Sequence, residues 1–430
     1  MDVLNFIVNQ IFGEAPIFLG LIALTGLLLQ KKDAQDVITG TAKTIIGILI
    51  LNAGMNVFLG SLLPITDLLS KSVGVVGIMP DNFGPLGIVL RDFPQVVSLT
   101  LALGFFIHIF LVKIVKNERF KNVFLTGHVM INMAAWFVII FTSTLTINNT
   151  WLIILSGIFT GIVFTVLPAW AKPYTQDITE GEFTLGHMQT FNIVGGSWVG
   201  KLFKGTKRCE DIELPGLLSV FSDYSILLSV LMPVMYIVIG LFVGPEVTSK
   251  LSGNSFWIKW LIIQGITFAA GVMVVLYGVR LFLSAIIPAF KGISERVIPG
   301  ATPALDSPLF FPYAPVATIM GFLSDAAVAI LITVILVAIK APIVVVPGPI
   351  FVFFEGALAG VFGDRFGGWK GAVAGGALMG LITHLGAIPL YYLQTGFQGS
   401  GLVFGGADLV LLSPILYLIK FIGGLMGVAL

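Results

Sequence analysis

Residues 174–192 read YTQDITEGEFTLGHMQTFN. This polar stretch hangs between two long apolar runs, and its reading decides the fold. At its centre, Gly186-His187-Met188-Gln189-Thr190 sets an imidazole and an amide beside segments apolar enough to enter lipid. Such groups are costly at membrane depth unless they face protein or water. The stretch is therefore a candidate binding site, provided that the chain around it spans a membrane.

The composition meets that condition. Of 430 residues, 57% are hydrophobic and only 10% charged, with a mean hydropathy of +1.02. A soluble chain carries about 25% charged residues, so this one lacks the water-facing surface its apolar side chains would need. With about 20 apolar residues per span, spans are predicted at 12–30, 41–66, 94–115, 123–147, 150–171, 223–246, 257–285, 315–340, 344–363, 369–391 and 408–428. An all-α polytopic membrane protein of about eleven spans follows. Met1 to Gln10 lack the basic region of a cleaved signal peptide, so the first span is expected to act as its own insertion signal. The net charge of +1 suggests no nucleic-acid partner. The one cysteine, Cys209, excludes an internal disulfide and a cysteine-based metal site. No spaced His/Asp/Glu set suggests a metal, and no cofactor is expected.

With alternating sides, lysines and arginines fall about three to one on the face that carries 172–222. That places the interval in the cytoplasm, the N-terminus outside and the C-terminus inside. Three intervals are too broken for a spanning helix and too apolar for a solvated loop: Val73 to Asp92, Gly181 to Gly200, and Gln394 to Ala407. Re-entrant segments fit all three. The halves also echo each other. Asp81 and Asp306 each lie in a Pro/Gly-rich segment before a span, and a shift of about 225 residues lays one half on the other. The segment around His187 then corresponds to one near Gln398. A single membrane domain over 1–430 is expected, with a first repeat in 1–172 plus the hairpin 173–222, a second in 223–407, and a terminal helix at 408–430. Inverted repeats with broken segments at their interface are a transporter pattern.

Each candidate has a bland reading beside the functional one. His187 and Gln189 either meet a ligand or cross-link a hairpin, while Glu180 and Glu182 read as solvated charges at a helix start. Asp81 and Asp306 contact a ligand or cap the helix that follows. Asn82 and Phe83 can offer an amide and a ring. Asn52 and Asn56 share a helix face around Gly54, for ligand contact or helix–helix bonding. Asn132 lies deeper in its span than His128, whose role reads as structural. His108 reads as a satisfied buried histidine, and His384, Asp325 and Glu355 as buried polar singles. Amides, a histidine, carboxylates and aromatics with few deep cations suit a small hydroxyl-rich solute. An ion-coupled transporter or channel using Asp81, Asp306, Glu355 or His108 is the alternative.

The chain resembles the membrane (IIC) component of the ascorbate-type phosphotransferase system. The shared words are GTAKTIIG at 40–47 with NAG at 52–54, LTGHVM at 125–130, KPYTQDITEGEFTLGHMQTF at 172–191 and ELPGLL at 213–218. They continue with GVRLFLSAIIPAFKGISERVIPGATPALD at 278–306, APVATIMGF at 314–322 and FGGWKGA at 366–372. The resemblance implies a homodimer in a bacterial inner membrane, each protomer having a solute-carrying core domain and a V-shaped dimerisation domain, with eleven spans and two re-entrant hairpins. It implies a carrier rather than an enzyme, whose sugar is phosphorylated by a separate EIIB, itself charged through EIIA, HPr and enzyme I. Cys209 is then not the phosphocysteine. The family's substrate contacts fall on Gly54, Met55, Asn82, Phe83, Asn132, His187, Met188 and Asp306, with Gln189 beside them. Met55 stands where serine is expected, Asn82 for threonine, Phe83 for tyrosine, and Asn132 and Met188 for glutamine. Each change removes, shortens or moves a polar group, at about 1–3 kcal/mol per lost hydrogen bond. Ascorbate, a related sugar acid or a polyol is the expected solute.

Overall fold

A computed structural model describes residues 14–73, 77–212, 223–253, 255–296, 298–397 and 400–425. Met1 to Gln10, the ELPGLL stretch at 213–218, Gln398 and the side chain of Phe83 lie outside what it describes. Helices dominate. In chain order they are α1 (Ala15–Leu29), α2 (Ala34–Val73), α3 (Phe83–Asp92), α4 (Pro94–Ile114), α5 (Gly127–Thr144), α6 (Asn149–Thr179), α7 (Thr190–Lys201), α8 (Tyr224–Val243), α9 (Pro245–Ser252), α10 (Trp257–Arg296), α11 (Pro315–Ala338), α12 (Pro349–Leu393) and α13 (Ala407–Leu425). Among the described residues eight helices are long and apolar enough to cross a membrane, with two shorter apolar helices at Pro16–Leu29 and Leu228–Leu241. This is an all-α polytopic membrane protein. The stretch expected as span 344–363 is helical only from Pro349, its start being the strand Val344–Val345; from there it and the stretch expected as span 369–391 fall on the two arms of α12, which turns at Gly368 (φ 59°, ψ −160°). That left-handed backbone suits glycine, and a Cβ there would lie 2.3 Å from the Lys207 carbonyl oxygen.

α6 runs past its expected end at 171 through Pro168 and Pro173 to Thr179. Lys172 stays in the helix because its ammonium donates to the Glu118 carbonyl at 3.0 Å. The helix closes on left-handed Glu180 (φ 53°) and Gly181 (φ 82°). Glu180 and Glu182 are exposed, but they end a helix rather than begin one, which corrects the expectation. The same close bears on why 174–192 reads as polar: its first six residues, 174–179, are the last turns of that helix.

Six short strands among the described residues were not legible in the sequence: β1 (Gly77–Pro80), β2 (Asn122–Phe124), β3 (Thr184–Leu185), β4 (Thr302–Leu305), β5 (Val344–Val345) and β6 (Leu402–Val403). They form two parallel three-stranded sheets, ordered β5-β1-β6 and β2-β4-β3. Each central strand comes from one half of the chain and both its neighbours from the other. Gly77 pairs with Val344 and Met79 with Leu402; Asn122 pairs with Thr302 and Thr184 with Ala304. Gly186 lies so close to β4 that a Cβ would sit 2.4 Å from the Ala304 carbonyl oxygen.

The helices form two packed groups. α2 and α10, each of 40 residues, lie against one another, with α1 on both and α8 against α10. In the other group α11 and α7 pack on α12, and α4 on α6. The bland reading of His108 agrees with its place there. Its Nε2 accepts from the Phe124 N–H at 3.1 Å, so the proton sits on Nδ1, 2.9 Å from Thr165 Oγ1.

Candidate solute site

Parallel pairing assembles the site. Three strands of one sheet end at the same level, and the chain leaving each end supplies a polar residue. His128 follows β2, His187 follows β3, and Asp306 is the residue after β4. His128 Nε2 lies 3.5 Å from Asp306 Oδ2 and His187 Nε2 lies 3.8 Å from Oδ1. Oδ1 also accepts the Ser307 N–H at 2.7 Å, so Asp306 caps the short 3-10 helix Ser307–Tyr313 while facing both rings. The ligand and capping readings are therefore compatible. Asp81 does the same work after β1: its Oδ2 accepts the Gly84 N–H at 2.9 Å at the start of α3. Asn82 Oδ1 accepts the Gly405 N–H at 3.2 Å, tying α3 to the segment after β6.

These groups line a cavity of about 390 Å³ between the two helix groups, within the ~300–1,000 Å³ range of small-molecule pockets. α2 contributes Leu51, Asn52, Met55 and Asn56; α5 contributes His128, Val129 and Asn132. The hairpin contributes His187, Met188 and Gln189, and α12 contributes Phe351, Phe354 and Glu355. The wall thus mixes aromatic and aliphatic faces with amides, imidazoles and carboxyl groups. Of the residues expected from the sequence, Met55, Asn82, Asn132, His187, Met188, Gln189 and Asp306 are brought together here. Gly54 is not in the wall. It is buried against α10, where a Cβ would sit 2.5 Å from Val275 N.

Three residues carry more than sequence reasoning gave them. His128 is in the wall, and with His187 and Asp306 it forms a set whose ligand atoms lie within 4.8 Å of one another. No regular spacing could have revealed that set, because its members come from three separate strand ends. Glu355 is no isolated polar single. Its Oε1 accepts from Gln189 Nε2 at 3.1 Å, and its Oε2 from Asn192 Nδ2 at 2.9 Å and the Ala407 N–H at 3.3 Å. Asp408, which had drawn no attention, accepts the Thr190 N–H at 2.8 Å and the Phe191 N–H at 2.6 Å. It caps the start of α7 from the start of α13, so the two broken segments hold each other at the cavity.

At the far end of α7 a short turn clasps the bend of α12. Arg208 Nε lies 2.8 Å from Asp364 Oδ2, and the Cys209 N–H donates to Oδ1 at 2.7 Å. Burial pushes the Cys209 thiol up, and neighbouring Asp364 pushes it further. The sulfur is thus held as a thiol and packs 3.3 Å from Met320 Sδ, which gives it no character as a nucleophile.

Many apolar spans around one polar cavity, with strand and helix ends converging on it, define a multi-pass membrane permease. The family description "PTS system sugar-specific permease component" (EIIC-GAT) matches residues 10–408, and the chain belongs to that family. It is 26% identical to the "Ascorbate-specific PTS system EIIC component" of Mycoplasma pneumoniae, over 94% of this chain and 69% of that one. The protein is therefore a sugar-transporting membrane component of a phosphotransferase system, not a catalyst; a separate EIIB protein phosphorylates the sugar.

Proposed function

We propose that the 390 Å³ cavity is the solute site of a carrier for ascorbate, a related sugar acid or a polyol. The observation that carries this reading is the convergence of His128 and His187 on Asp306 in a wall that also holds Met55, Asn82, Asn132, Met188 and Gln189. Phe83 joins this set by its resemblance to the family pattern. The likeness to a relative named as ascorbate-specific supports the solute class. Imidazole and carboxyl groups suit sugar hydroxyls, and Phe351 and Phe354 suit the apolar faces of a carbon chain or ring.

The cavity lies between two helix groups, which supports movement of the α4–α7 and α11–α13 group against the α1, α2, α8 and α10 group as the step that changes access. The first would be the solute-carrying core and the second the dimer scaffold of a homodimer. The strand exchange between halves supports an inverted repeat with eleven crossings and two re-entrant hairpins, one ending in α7 and one leading into α13, itself a crossing. The proposed setting is a bacterial inner membrane with the N-terminus outside. EIIB would meet the solute on the cytoplasmic side and be recharged by EIIA, HPr and enzyme I.

Membrane vesicles supplied with EIIB and the upstream phosphoryl chain provide the test. Phosphorylated solute should accumulate with wild-type protein and fall at least tenfold with His187→Ala or Asp306→Asn, each checked for normal insertion. Unchanged accumulation in both variants would remove the cavity as the solute site. Accumulation without any phosphoryl donor, driven by an ion gradient, would favour ion coupling instead.

A further inference from the structure

The far end of α7 carries features that the cavity does not use. α7 runs beside α6 in the same sense. Thr190 Oγ1 donates to the Leu167 carbonyl at 3.2 Å near its start, and Trp198 Nε1 donates to the Tyr174 hydroxyl at 2.7 Å near its end. The hairpin therefore dips to the cavity and returns to the end of α6 from which it came. That is the face on which lysines and arginines gather about three to one.

The bend of α12 lies at the same place. A Cβ on Gly367 would strike the Gly200 carbonyl, and one on Gly371 the Gly363 carbonyl, so the backbones meet directly. Thr206 Oγ1 donates to the Gly367 carbonyl, and the Trp369 N–H donates to the Lys207 carbonyl at 2.9 Å. The turn after α7 and the bend of α12 are thus one fixed platform. Leu202 is 78% exposed on it and Trp369 38%. Lys204, Lys207 and Arg365 are exposed on the same platform and form no ion pair among the described residues. Lys370 stands over the Trp369 ring at 5.6 Å from its centre. Two carboxylates of this region are already engaged, Asp364 with Arg208 and the Cys209 N–H, and Glu210 with the Val316 N–H.

We infer that Leu202, Lys204, Lys207, Arg365, Trp369 and Lys370 form the docking surface for EIIB. Exposed apolar groups with a rim of charge have the anatomy of a protein–protein interface. The charge complements a partner that arrives carrying a phosphoryl group, which is an anion. The position fits as well. α7, of 12 residues, is a rod of about 18 Å between this platform and Gln189, so a partner seated here lies one short helix from the solute wall. This rests on the reading of the protein as a carrier with this face in the cytoplasm, and it names where on that face the partner sits.

The test is equilibrium binding of phosphoryl-charged EIIB from the same cell to the purified protein in nanodiscs. Combined Lys204→Glu, Lys207→Glu and Arg365→Glu should raise the Kd at least tenfold, and Leu202→Ser at least threefold, with Tm and solute affinity unchanged. Combined Lys113→Glu and Lys116→Glu, elsewhere on the same face, should leave the Kd within twofold. Wild-type binding should weaken as salt rises, and the charge-reversed protein should lose most of that dependence. A Kd unmoved in both platform variants, or an equal loss in the Lys113 and Lys116 variant, overturns the inference while leaving the carrier reading intact. A Kd unmoved by charge reversal, with a Tm that falls only in anionic lipid, overturns it in favour of lipid headgroups. Labelling of Lys204→Cys by an impermeant maleimide from outside intact cells would instead overturn the orientation, and this inference with it.

Discussion

Gly54 and Gly278 meet the partner helix's backbone at one crossing. A Cβ on Gly54 of α2 would lie 2.5 Å from Val275 N of α10, and one on Gly278 of α10 would lie 2.4 Å from Leu51 N of α2. Gly271 and Gly47 supply the next contacts through their carbonyl oxygens. Small residues that let backbones approach closely are how helices associate in lipid, where no hydrophobic force between them exists. Gly54→Ala and Gly278→Ala should each destabilise the protein by about 1–3 kcal/mol through overpacking, seen as a lower Tm. Solute affinity of the folded protein should change less than threefold in both. A tenfold affinity loss in Gly54→Ala with an unchanged Tm would return Gly54 to the list of solute contacts.

The His128, His187 and Asp306 set makes a second prediction. Two imidazoles and a carboxylate with an open side toward a cavity resemble the donor set of a zinc ion with one free position. His187 Nδ1, however, is buried without a partner, and ligating histidines ordinarily donate that second N–H. Added Zn²⁺ should therefore compete with solute weakly, and EDTA should reverse it. The competition should fall at least tenfold in His128→Ala and His187→Ala. Zinc inhibition that is unchanged in both variants would place the ion elsewhere.

The broad architecture was legible because long apolar runs state their own purpose: among the described residues most of each predicted span is helical, although 123–124 and 344–345 are strand. The site was legible in part. His187, Gln189 and Asp306 stood out because polar groups in apolar surroundings are conspicuous. His128 did not, since its place near a helix start offered a structural explanation. The strands were too short to carry a period-2 signal, yet their parallel register is what brings His128, His187 and Asp306 to one level. Glu355 and Asp408 were hidden for another reason. Their partners lie in the other half of the chain, at Gln189, Asn192, Thr190 and Phe191. Long-range partnership of that kind leaves no local pattern in a single sequence.

Asp408 holds the start of α7 through two backbone N–H groups, directly after Gln189. Asp408→Ala leaves both donors buried and unpaired, at about 1–3 kcal/mol each. Tm should fall by several degrees and solute affinity with it, because the hairpin that presents His187 and Gln189 loses its anchor. Asp408→Asn keeps one acceptor and should fall between the two. A variant with normal Tm and normal binding would show that α7 is held by other means.

Glu210 offers a pH test outside the spans. Its Oε1 accepts the Val316 N–H at 2.9 Å at the start of α11. Burial raises its carboxyl above the ordinary range, and Asp364 raises it further. A group that holds its proton more tightly in the fold than in the unfolded chain contributes stability below its unfolded pKa, and loses it as pH rises through the raised value. Wild-type Tm should therefore decline across that window as pH increases, by a few degrees at most on the scale of ~1 kcal/mol. Glu210→Gln keeps the acceptor toward Val316 without a proton to lose, so its Tm profile should be flatter over the same range. Parallel profiles for the two proteins would mean that Glu210 titrates alike in the folded and unfolded chain.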